Sequence, residues 1–225
     1  QDDAAPPGGA EMGARRGASF YATLLAGFGA WLQRLSGQDD VVIGIPCAGQ
    51  AAGGHDGVVG HCVNVLPLRA TVDPQVTFGS VLDRVRGDLL DAFEHQQYTL
   101  GSLLARLALP REPSRLPLVS VLFNLDQALD EKTVSFPGLR FDFSAKLCSD
   151  ENGELFVNAV QTDGGLRLEC QYNSDLFGGD TIRRWRDAYE TLLRSAVLEP
   201  EATIQALDLL SPSAPRKLDS LQPSP

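Results

Sequence analysis

The chain has 225 residues, 43% apolar and 21% charged, enough for one sizeable domain with a real core. Its formal net charge is −10, and so acidic a surface repels phosphate backbones, which argues against a nucleic-acid partner. No apolar run approaches the ~20 residues that span a membrane, which argues against a membrane protein.

Residues 1–16 are rich in Gly, Ala and Pro and read as a flexible lead-in. Ser19 then has the chemistry of an N-cap. Phe20, Tyr21, Leu24, Leu25, Phe28, Trp31, Leu32 and Leu35 follow at helical spacing, and Gly37 stands where a helix would end. Gly27 and Gly29 inside this helix each cost about 1 kcal/mol of propensity, tolerable where another element packs close. The run VVIGI (41–45) reads as a strand buried on both faces, and PCAGQAAGGHDGVVG as a loop. A second strand is expected over Val63–Leu68. A helix follows from Thr77 to Phe93, and a short one carries Leu100, Leu103, Leu104 and Leu107.

PLVSVLFNL (117–125) is a further apolar strand, and a weaker one is expected near Leu139–Phe143. ELFVNAVQ (154–161) and LRLECQY (166–172) alternate, with the turn signal Asp163-Gly164 between them, so they form a hairpin. A last helix runs from about Asp180 with Ile182, Trp185, Tyr189, Leu192, Leu193 and Ala196 on one face. Residues 211–225 have linker composition, which leaves residues 17–210 as one α/β domain, a sheet covered by helices.

The N-terminus shows no secretory leader, and its Gln1 start points to a segment of a longer polypeptide. The four cysteines, Cys47, Cys62, Cys148 and Cys170, form no C-x-x-C pair and read as reduced thiols of a cytoplasmic protein. His61-Cys62 is the tempting pair, because a nucleophilic thiol needs a base within reach. Neighbours on a strand point to opposite faces, so adjacency works against it. His55, His61, Cys62 and Asp56 match no closed zinc pattern. His95, in EHQQYT, sits where it can cap a helix end. The glycine-rich stretch lacks the order and the Lys of a phosphate loop. From the residues alone no self-sufficient active site is visible.

Several segments in order resemble one family, the condensation domains of nonribosomal peptide synthetases. GQDDVVIGIPCAGQ resembles the family's G-Q-x-D-[IV]-V-[IV]-G-x-P-x-A-G-[RQ] stretch. GHCVNVLPLR, with Gly60, His61, Cys62, Asn64 and Arg69, is similar to its G-x-[FC]-V-N-x-L-x-L-R motif. EHQQYTLGSLL supplies His95 and Gln96 of an H-Q motif, with Tyr98-Thr99 where a Pro often follows. REPSRLPLVSVLFNL supplies Arg111, Ser114 and Arg115. The closing hairpin and helix resemble the family's end, including Y-N-[ST]-D-L-F. Gly153-Glu154-Leu155 stands where F-D-L is common, so Glu154 keeps a carboxylate one methylene longer.

The resemblance implies a chloramphenicol-acetyltransferase-like lobe, the second half of a two-lobe condensation fold, with a mixed sheet covered by helices. The family's H-H-x-x-x-D-G motif belongs to the first lobe and is absent here, so no catalytic residue is assigned. The partners implied are the N-terminal lobe, donor and acceptor carrier proteins, and a downstream adenylation domain reached through the 211–225 linker. No cofactor is bound directly; the substrates arrive on the carriers' phosphopantetheine arms. Asn64 and Arg69 would order a strand lining the tunnel between the lobes, with His61 and Cys62 flanking it. The alternatives are a catalytically silent lobe that serves as a docking platform, and an independent acyltransferase using Cys62 or His61.

Overall fold

A computed structural model describes residues 8–49, 58–60, 62–107, 109, 117–127, 138–139, 153–162 and 165–210. The expected Leu139–Phe143 strand and the Asp163-Gly164 turn lie outside them, apart from Leu139, which is exposed.

Five helices and five strands are described: α1 Gly9–Arg15, α2 Phe20–Ser36, β1 Asp40–Ala48, β2 Val63–Thr71, α3 Phe78–Glu94, α4 Leu100–Leu107, β3 Val121–Gln127, β4 Leu155–Thr162, β5 Gly165–Tyr172 and α5 Gly179–Leu198. A short 3₁₀ turn, Ile204–Ala206, follows. The sheet order is β2-β1-β3-β4-β5. The outer pairs β1/β2 and β4/β5 are antiparallel, and the inner pairs β1/β3 and β3/β4 are parallel. This is the mixed sheet under helices that the sequence implies.

Helix α2 is the hub, packing on α1, α3, α5 and strands β1 and β3. Ser19 caps it, its side chain accepting from Ala22 N, and Gly37 closes it in the left-handed region at φ 69°. Phe28 lies against Phe123 and Trp31 and meets Tyr189 edge-on, joining α2, the sheet and α5 in one aromatic core. Such stacked and edge-on rings add about 0.5–1.5 kcal/mol per pair beyond burial. Tyr189, fully within that core, donates to Leu24 O at 2.9 Å, so its hydroxyl is satisfied.

The structure departs from the sequence reading in four places. Residues 9–15, within the expected lead-in, form α1. Packing rather than propensity holds it: Met12 is buried, and Gly13 lets the helix settle onto Thr23. Arg16 then ties this corner to Asp83 and Glu201. Second, β1 runs through Pro46 to Ala48. Strand β3 pairs only with Ile43 and Gly44, so a proline further on costs no bond on that side. Third, Val41 and Val42 are only half-buried; Ile43 and Ile45 carry the burial. Fourth, β3 begins at Val121 because Val119 N bonds back to Pro117 O at 2.8 Å, closing a tight turn with Leu118 at φ 69°.

Candidate functional site

The β1/β2 register pairs Cys47 with Asn64. The same rungs pair Ile43 with Leu68 and Ile45 with Leu66, all buried under the helices, so Cys47 and Asn64 face that side too. What meets them is the turn between α3 and α4. His95 ends α3, its backbone N–H bonding Ala92 O, and Tyr98 N donates to His95 O at 2.9 Å. Thr99 then starts α4, its hydroxyl accepting from Ser102 N.

Asn64 holds this turn at three points. Its Nδ2 donates to Gln96 O at 3.0 Å and Tyr98 O at 3.2 Å, and its Oδ1 accepts from Leu100 N at 3.2 Å. Cys47 Sγ donates to Gln96 Oε1 at 3.1 Å. Burial pushes the Cys47 thiol up, so it stays protonated and a donor. The same burial raises the nearby Tyr21 phenol, with Cys47 a lesser cause, and the phenol donates to Phe123 O. Residues Phe93 to Tyr98 line an open pocket of about 510 Å³. His95 Nδ1 bonds Asp91 O at 2.9 Å, and the residue is exposed.

The structure therefore brings together Asn64, His95 and Gln96 of the sequence-selected residues. It sets Arg69 apart: the residue lies on the opposite face of β2, forms a bidentate pair with Asp40, and is well exposed. That pairing holds the Asp40 carboxyl below its usual range and raises Arg69. Gly60 is exposed, and Cys62 is half-exposed, its carbonyl accepting from Gly49 N at 2.9 Å. Glu154 immediately precedes β4, with its N–H on Ser120 O and its carbonyl accepting from Asn173 N. His61, Arg111, Ser114 and Arg115 lie outside the described residues.

Sequence reasoning treated Cys47 only as a reduced thiol. The cross-strand register could have exposed its role, since any residue opposite Asn64 meets the same turn. It also missed an amide and carboxylate ladder on the other face of the sheet. There Asn124 Nδ2 donates to Asn158 Oδ1, and Asn158 Nδ2 to Asp126 Oδ2, both at 3.1 Å.

Cys47 bonds an amide oxygen and Nδ1 of His95 a main-chain carbonyl, so these two do not form with each other the thiol–base pair that covalent catalysis needs. Among the described residues no group of three or more His, Cys, Asp or Glu could hold a metal ion, and no helix is long and apolar enough to cross a membrane. The site shapes a surface and fixes a turn.

The fold is that of a chloramphenicol-acetyltransferase-like α/β lobe. It superposes on the condensation domain of the Monacolin K polyketide synthase MokA with a TM-score of 0.80 at 20% identity, covering 90% of this chain and 47% of that one. It also superposes on holo-AB3403, a four-domain nonribosomal peptide synthetase, with a TM-score of 0.83 at 18% identity, covering 94% of this chain and 17% of that one. The condensation-domain family model matches residues 10–218, and the chain belongs to that family. Surfactin synthase subunit 2 of Bacillus subtilis (strain 168) is 34% identical over 193 residues, 86% of this chain and 5% of that protein. Tyrocidine synthase 2 of Brevibacillus parabrevis is 30% identical over 202 residues, 89% of this chain and 6% of that protein. The chain thus spans a small part of these synthetases and about half of a solved condensation domain, the extent of a single lobe.

Proposed function

We propose that the chain is the C-terminal, acceptor-side lobe of a peptide-synthetase condensation domain and forms one wall of the tunnel in which an amide bond is made. In that tunnel the acceptor amine attacks the donor thioester carbonyl. The C–S bond breaks, the donor arm leaves as a thiol, and the amide stays on the acceptor arm. The end of the sheet at Asn64, with the pocket at Phe93–Tyr98, faces the acceptor side. The lobe supplies shape and dryness for two reactants held at close quarters, which is where proximity contributes most. The observation that carries the reading is the family match over 10–218 in a chain with no H-H-x-x-x-D-G motif. The partners are then the N-terminal lobe, the two carrier proteins and a downstream adenylation domain.

A second reading is a silent lobe that docks a neighbouring domain. It is favoured by a solved relative of this fold, the X-domain from teicoplanin biosynthesis, which was determined in complex with OxyB (TM-score 0.80, 23% identity).

Two loaded carrier proteins and mass spectrometry of the acceptor arm separate the readings. Product only when this chain is joined to the segment encoded before it supports the tunnel wall. No product from the joined form with native carriers and substrates supports the platform. Product from the chain alone overturns both and returns attention to His61 and Cys62.

A further inference from the structure

We infer that Cys47 is a positioning residue: with its register partner Asn64 it grips Gln96 at two points and so sets the α3–α4 turn that borders the proposed acceptor side. Gln96 is held by its main chain through Asn64 Nδ2 and by its side chain through Cys47 Sγ. Cys47 and Asn64 occupy one rung of the β1/β2 ladder, so the two grips come from a single rigid platform. Asn64 alone holds the main chain of the turn, at Gln96 O, Tyr98 O and Leu100 N, and Cys47 adds the hold on the Gln96 side chain. With that side chain pinned, Gln96 cannot swing about its main-chain bond, which keeps Leu100 N–H, and with it the start of α4, on Asn64 Oδ1.

Burial alone does not account for the contact. A half-buried glutamine folded back onto a sheet loses rotamer freedom, which the bond to Cys47 helps to offset. Cys47 is 8% exposed, and its Sγ sits 3.1 Å from Gln96 Oε1, close for a sulfur donor. The pocket at Phe93–Tyr98 takes its shape from the same turn. The acceptor-side consequence rests on the tunnel-wall reading above; the two-point grip does not.

The test uses Cys47→Ala, Cys47→Ser, Gln96→Leu and the double variant Cys47→Ala/Gln96→Leu. Each is made in this chain joined to its upstream lobe. Amide hydrogen exchange reads the turn, and the condensation assay reads KM for the loaded acceptor carrier against kcat. Cys47→Ala and Gln96→Leu each speed exchange at Leu100 by about threefold to tenfold, the weight of one hydrogen bond. The double variant is no faster than the larger single effect, because both remove one interaction. Cys47→Ser, which keeps a donor, recovers most of the protection, and amides in the middle of β1 and β2 do not change. KM for the acceptor carrier rises in the same variants while kcat holds.

Multiplying effects in the double variant, or a Ser variant as fast as Ala, overturns the two-point grip. Should Cys47→Ala fail to fold, Gln96→Leu and Cys47→Ser still decide it: exchange unchanged at Leu100 in Gln96→Leu overturns the grip. Coupled exchange with an unmoved acceptor KM leaves the grip standing and overturns the placement of this end at the acceptor side.

Discussion

Two glycines two residues apart in α2 are expected to respond differently to alanine, one gaining stability and the other gaining none or losing it. A glycine inside a helix costs about 1 kcal/mol relative to alanine, so Gly→Ala gains that much where space allows. At Gly29 it does: an added Cβ would lie 3.6 Å from Ala70 Cβ, 3.7 Å from Val72 Cγ2 and 4.0 Å from Ile43 Cδ1, all ordinary contacts. At Gly27 the added Cβ would overlap Leu193 Cδ2 and lie 3.3 Å from Leu193 Cγ and 3.6 Å from Tyr189 Cε2. Leu193 is 1% exposed and has nowhere to retreat. Overpacking of this kind costs about 1–3 kcal/mol. Set against the propensity gain, Gly27→Ala should lose up to about 2 kcal/mol, whereas Gly29→Ala gains about 1 kcal/mol. In a chain of this size 1 kcal/mol moves Tm by about 2–4 °C. Thermal and urea unfolding of the two variants provide the check. A Gly27→Ala protein stabilised as much as Gly29→Ala, or a clearly destabilised Gly29→Ala, would refute the claim that α2 and α5 touch through Gly27.

Three further outcomes are expected. Arg34 Nη1 donates to Ile204 O, Gln205 O and Leu207 O at 2.8, 3.0 and 2.9 Å, so Arg34→Met should cost about 2 kcal/mol and make residues 203–209 readily cleaved in limited proteolysis. Burial raises the Asp88 carboxyl, with Arg84 opposing and Asp91 adding, so its ionised form works against folding. Asp88→Asn should therefore be more stable than the parent at neutral pH, the gap closing as pH falls through the ordinary Asp range, where both states are protonated; a gap that widens in acid contradicts this. Iodoacetamide should modify half-exposed Cys62 before Cys47 or Cys170, since Cys47 is buried and burial pushes the Cys170 thiol up to about 11. Peptide mass spectrometry showing Cys170 labelled first would contradict that order.

What could be read along the chain was whatever depends on near neighbours. Ser19 and Thr77 cap their helices as their chemistry suggests, and the apolar spacing of α2, α3 and α5 places their buried faces. The ordered motifs carried the family, because five segments in sequence are improbable by chance. Arg69 shows where that reasoning stops. It shares a motif with Asn64, yet five positions along a strand reverse the face, and the pairing with Asp40 takes it out of the site.

The strand order, with β1, β3 and β4 parallel and adjacent, leaves no local mark, since it is set by which distant apolar faces bury one another. Helix α1 likewise exists because α2 and α5 cover it, not because its glycines favour a helix. The meeting of Cys47, Asn64 and Gln96 needs both the β1/β2 register and the packing of α3 over it. Each bond there joins residues more than thirty positions apart. Such contacts form only once the backbone between them has been ordered, so they belong to the folded chain and cannot be found in any stretch of it alone.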